Sequence, residues 1–123
     1  MPRLLILNPN TSADVTSRVV GHIQRTLPAD AVCIPVTAPF GSSYISTEES
    51  FAIAGHAVLA AYAESSKDYD CLLLACFGDP AIFALREVCS MPVIGLVEAS
   101  LIEAVELGKR ISIVTGADVI TFI

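Results

Sequence analysis

The chain has 123 residues, 54% of them hydrophobic, which is enough to bury a core of its own and too apolar for a disordered segment. Its 13 acidic residues outnumber 7 basic ones, the formal charge is −6, and no Lys/Arg run is present, so nucleic acid and membrane surfaces are excluded as expected partners. No apolar stretch approaches a membrane span, and Leu4 to Leu7 is too short for the apolar region of a secretion signal, so a cytoplasmic location is expected.

The first apolar run, Leu4 to Leu7, has strand length, and Asn8-Pro-Asn-Thr-Ser12 follows it directly. After it Val15, Val19, Ile23 and Leu27 recur every four residues, which predicts an amphipathic helix capped by Asn10, Thr11 or Ser12 and ended by Pro28. Val32 to Val36 reads as the second strand. Pro35 inside it cannot donate to a ladder, which places this strand at a sheet edge. The Ala-rich segment Glu48 to Lys67 carries Phe51, Ala54, Val58 and Tyr62 at helical spacing, and its leading Glu48-Glu49 pair suits a helix start without implying acid/base work. Cys71 to Cys76 is the third strand, Pro80 to Val88 the third helix, Val93 to Val97 the fourth strand and roughly Glu98 to Leu107 the fourth helix, stopped by Gly108. Ile111 to Thr115 is expected as a fifth strand.

Alternating strands and helices predict an α/β, doubly wound parallel sheet of order 2-1-3-4, a flavodoxin-like half. In such sheets ligands bind beyond the carboxyl ends of the strands near the reversal of winding, so the loops after Leu7 and Ala75 should face each other. Leu5-Ile-Leu-Asn-Pro and Ile111-Ser-Ile-Val-Thr-Gly echo one another, and Val119, Ile120, Phe122 and Ile123 begin an apolar pattern. The expected organisation is a first half over 1–109 and, over 110–123, the first strand of a second, truncated half.

The stretch Leu72-Leu-Leu-Ala-Cys76-Phe-Gly-Asp-Pro80 delivers a cysteine to a strand tip. Gly78 permits a tight turn, Asp79 is expected to cap, and Pro80 suits a first helical position. A thiol at a helix N-terminus is favoured as thiolate, and the backbone N–H groups there can hold an oxyanion; the Asp79 charge opposes the first effect unless capping absorbs it. Cys33, Cys71 and Cys89 read as small buried residues. The four cysteines form no CxxC pair and no metal-ligand spacing, so reduced thiols and no metal are expected. Asn8 can present its amide to a carboxylate or imide, though a capping loop without a ligand explains the same residues. His22 and His56 fall in helices and receive no role, and Arg86-Glu87 reads as a source of local or solvated ion pairs.

Leu7-Asn-Pro-Asn-Thr-Ser12, Ala75-Cys-Phe-Gly-Asp-Pro80, Arg86-Glu87, Pro92-Val-Ile-Gly95, Glu98-Ala99 and Ile113-Val-Thr-Gly116 together resemble the hydantoin racemase branch of the aspartate/glutamate/hydantoin racemase superfamily. Amino-acid racemases of that superfamily usually follow their first cysteine with Asn-Thr, whereas Phe77-Gly78 stand here, so hydantoin or allantoin racemase is the nearer resemblance. The resemblance implies an isomerase without metal or pyridoxal phosphate, built from two α/β halves that hold a small substrate, a hydantoin or amino-acid derivative, between two cysteines. It implies Cys76 as one acid/base, backbone N–H groups of Phe77 and Gly78 as oxyanion donors, and Asn8, Thr115 and Gly116 as substrate contacts. The second cysteine has no counterpart in this sequence, so a longer chain or a homo-oligomer would have to supply it. A decarboxylase that uses one thiol, and a non-catalytic small-molecule-binding module, are the alternatives.

Overall fold

The computed structural model describes residues 1–115. Four strands and four helices alternate: β1 (Arg3–Asn8), α1 (Ala13–Gln24), β2 (Val32–Thr37), α2 (Glu48–Glu64), β3 (Cys71–Leu74), α3 (Ile82–Val88), β4 (Val93–Gly95) and α4 (Leu96–Leu107). The strands form one parallel sheet in the order β2-β1-β3-β4, as the sequence predicts. Leu5, Ile6 and Leu7 are fully buried because β1 lies inside the sheet with both faces covered.

Register decides which side chains share a face. Leu5 stands opposite Ile34 and Leu72, Leu7 opposite Val36 and Leu74, and Leu72 opposite Val93. With Val58, Ala61 and Tyr62 of α2 and Ile82 and Leu85 of α3 these residues make the main core cluster. The right-handed crossover rule places α1 on the opposite face, where it packs against β1 and β2. Pro35 is exposed on β2, and β2 is an edge strand, as its missing N–H requires.

The helix ends follow local chemistry. Ser12 caps α1, its Oγ accepting from Val15 N at 3.2 Å, and Thr47 opens α2 in a capping box with Ser50. Glu48–Glu64 is shorter than the expected span to Lys67, whose ammonium instead caps the end of α2 through Tyr62 O and Ser65 O. Two expectations are not met among the described residues. Residues 111–115 join no ladder and are exposed; a strand exists only through its pairing, and among the described residues no strand lies beside them. The third helix starts at Ile82, not Pro80, with Ala81 at its N-cap in the left-handed region and no side-chain cap. Gly116 and the apolar pattern from Val119 lie outside the described residues.

Candidate functional site

The carboxyl ends of β1, β2 and β3 converge. Ala75 N donates to Leu7 O and Ala38 N to Asn8 O, both at 2.9 Å, so each chain continues one step past its strand before turning away. Asn8 is buried at the tip of β1 and organises the loop after it: its Nδ2 donates to Asn10 Oδ1, Ser12 O and Thr16 Oγ1 at 2.8, 3.1 and 3.0 Å, while its Oδ1 accepts from Asn10 N. Thr11 N donates to Ser42 O at 3.0 Å, and the Thr16 and Thr37 hydroxyls meet at 2.7 Å, which ties this loop and α1 to β2 and the loop after it.

Cys76 follows the end of β3 on the neighbouring strand, and its carbonyl accepts from Asp79 N at 3.1 Å in a tight turn. A cavity of about 220 Å³ opens between these loops, lined by Asn8, Asn10, Tyr44, Ile45, Ala75, Cys76, Phe77 and Thr115. The two loops expected to face each other do so. The cavity gathers four residues singled out in the sequence, Asn8, Cys76, Phe77 and Thr115. Gly78 borders a second, more apolar cavity of about 430 Å³ with Phe51, Asp79, Ile82, Phe83 and Leu101, and Gly116 lies outside the described residues. Sequence reasoning missed Tyr44 and Ile45. The signal was available, since the loop after an outer strand also ends at the ligand-binding edge of a doubly wound sheet.

The electrostatics of Cys76 reverse the expectation of a stabilised thiolate. Burial, and then the Asp79 carboxylate, push its pKa up to about 11. Helix α3 begins only at Ile82, with Ala81 at its N-cap, so Cys76 does not itself occupy a helix start. Asp79 is used elsewhere: its Oδ1 accepts from Val97 N and its Oδ2 from Glu98 N, both at 3.0 Å, so it caps α4 rather than its own helix. Arg86 makes an exposed ion pair, as expected, with a residue of the next helix. It grips Glu98 with both terminal nitrogens at 2.6 and 3.0 Å and donates to Val93 O at 2.9 Å, joining α3 to α4 and the start of β4; Glu87 takes no part in this grip.

The other thiols stand apart. Cys33, Cys71 and Cys89 are free, as is Cys76, and none of the three lines the Cys76 cavity. Cys89 sits 3.3 Å from the Tyr69 hydroxyl and reaches Met91 O. Among the described residues no cluster of three His, Cys, Asp or Glu could hold a metal ion, and no helix is long and apolar enough to cross a membrane.

Comparison with known proteins places this geometry among relatives. The chain is 29% identical over 116 residues to a hydantoin racemase of Pseudomonas sp., covering 92% of this chain and 46% of that one. It superposes on the crystal structure of allantoin racemase from Pseudomonas fluorescens with a TM-score of 0.82 at 24% identity (86% of this chain, 45% of that one), and on allantoin racemase from Klebsiella pneumoniae with 0.80 at 30% identity (86% and 44%). The chain spans about half the length of the curated relatives it matches. The profile of the family Asp/Glu/Hydantoin racemase matches residues 4–120, and the chain belongs to that family.

Proposed function

We propose that this chain contributes one face of a cofactor-independent racemase site for a 5-substituted hydantoin or a related carbon acid, with Cys76 as its proton-transfer group. The carrying observation is the cavity at the tips of β1 and β3, which brings Cys76 together with Asn8, Phe77 and Thr115. Residues 1–109 make the first half, and residues from 110 open a second.

Inversion at a carbon flanked by carbonyl and nitrogen needs a base on one face and an acid on the other. The base breaks the C–H bond, and the electron pair moves onto the carbonyl oxygen. Backbone N–H groups of Phe77 and Gly78 stabilise that oxyanion, with Asn8, Thr115 and Gly116 contacting the ring. Cys76 then gives its S–H proton to the opposite face and is left as thiolate. A thiol held at about 11 is protonated at neutral pH, which suits it to be the donor in the first turnover. The opposing base, a second thiol in this reading, comes from residues beyond this sequence or from a second copy of the chain.

The test is incubation with each enantiomer of a 5-substituted hydantoin in D₂O, following optical rotation and deuterium at C5. The expected result is inversion with deuterium uptake, reduced about a hundredfold or more in Cys76→Ala. Deuterium exchange without inversion would mean a single working face. A folded chain whose exchange matches the Cys76→Ala background with both enantiomers would overturn the reading.

One protonated thiol in a cavity also favours a second reading, decarboxylation. There the C–C bond to a carboxylate breaks, carbon dioxide leaves, and Cys76 protonates the enolate; carbon dioxide release from an arylmalonate tests it.

A further inference from the structure

The turn that carries Cys76 leaves regular backbone three times. Gly78 has φ 149°, Asp79 φ 49° and Ala81 φ 60°, and the last two are non-glycine residues in the left-handed region. Such backbone persists only where its surroundings hold it. Two contacts do so. Phe51 of α2 packs against Gly78 so closely that a Cβ there would meet its ring at 2.7 Å. On the other side Asp79 bonds Val97 N and Glu98 N, one amide for each carboxylate oxygen.

Gly95 makes the second contact feasible. Its backbone, at φ −91° and ψ 140°, is one any residue adopts, so conformation does not demand glycine there. Space does. A Cβ on Gly95 would sit 2.5 Å from Asp79 Cγ and 2.6 Å from Ile82 Cδ1, and closer still to Asp79 Oδ2. The carboxylate therefore enters a gap that exists because residue 95 has no side chain.

We propose that Asp79 is a positioning residue: seated on the α4 amides through the gap at Gly95, it locks the Cys76 turn in the shape that presents the thiol to the cavity. This rests on Cys76 being the reactive thiol of the proposed function. The seat leaves the carboxylate near enough to act on Cys76 as well. Among the described residues lining that cavity, Tyr44, from the loop after β2, is the ionisable side chain besides Cys76 itself; β1 and its loop contribute the amides Asn8 and Asn10. Arg86 and Glu98, the charged groups of α3 and α4 beside Asp79, are paired with one another.

The proposal is tested without any substrate, so that absence of hydantoin turnover leaves it standing. Iodoacetamide labelling of Cys76 is followed by mass spectrometry against pH in the unaltered chain, Asp79→Asn and Gly95→Ala, with circular dichroism reporting the fold. Asp79→Asn removes the charge and, with a single acceptor oxygen, one of the two seat bonds, whereas Gly95→Ala keeps the charge and blocks the seat. Both should lower the labelling midpoint and raise the rate at pH 8 by about threefold or more, the gain being partial because a less basic thiolate is a weaker nucleophile. A folded variant of either kind that labels like the unaltered chain overturns the proposal, leaving Asp79 a helix cap and nothing more. Should a variant not fold, amide exchange of the unaltered chain decides. Slow exchange at Val97 and Glu98 supports the seat, and exchange there as fast as at an uncapped first turn overturns it.

Discussion

The Cys76 thiol owes its acidity to neighbours, with burial the larger cause and the Asp79 charge the smaller. Because its pKa in the fold exceeds the ordinary thiol value of 9.0, the folded state holds this proton more tightly than the unfolded one. The associated stability is complete below pH 9 and is lost as pH rises towards about 11. Burial also raises Cys33, Cys71 and Tyr69, so alkaline unfolding is shared among several groups. In urea titrations between pH 8 and 11, Cys76→Ala should lose less stability than the unaltered chain. An identical slope for the two would contradict the assigned burial. At this scale the sequence exposed identities more readily than environments. Cys76 and Asn8 stood out from their place after apolar runs, but the reversal at Cys76 depends on Asp79 turning to α4, and no local pattern records a partner 18 residues away.

Helix starts show how much of an element is written locally. Ser12 and Thr47 each accept from an amide three residues on, and Thr47 completes a box in which Ser50 reaches back to the Thr47 amide. Thr47→Ala removes the acceptor and should cost about 1 kcal/mol in a denaturant titration, without shifting Cys76 labelling. The start of α3 shows the opposite. Pro80 and Asp79 have the composition of a cap and first turn, yet long-range contacts with α4 and Phe51 override it, and the helix begins later. Strand existence was legible because β1, β2, β3 and β4 are apolar runs between turn residues. Ile111 to Thr115 has the same composition but, among the described residues, no strand to pair with, and composition alone does not say where a neighbour will be.

At the scale of the whole molecule, charge and apolar surface act against each other. The formal charge of −6 adds repulsion between copies at neutral pH, and that repulsion vanishes at the pI of about 4.6. Phe83, Ile102, Val105 and Leu107 are well exposed on α3 and α4. Light scattering of the chain should therefore rise steeply on acidification from pH 7 towards 4.6 and be suppressed again when the pH is returned. Scattering that is flat across that range would mean these side chains are covered in solution. The topology itself was readable from sequence because Pro35 and the right-handed crossover rule leave few orders for four parallel strands. That same proline has an effect on what can join the sheet. The outer rim of β2 has one hydrogen-bond donor fewer than a strand-exchanging or fibril-forming template needs, so extension of the sheet by a foreign strand is disfavoured on that side and any added strand is directed to β4.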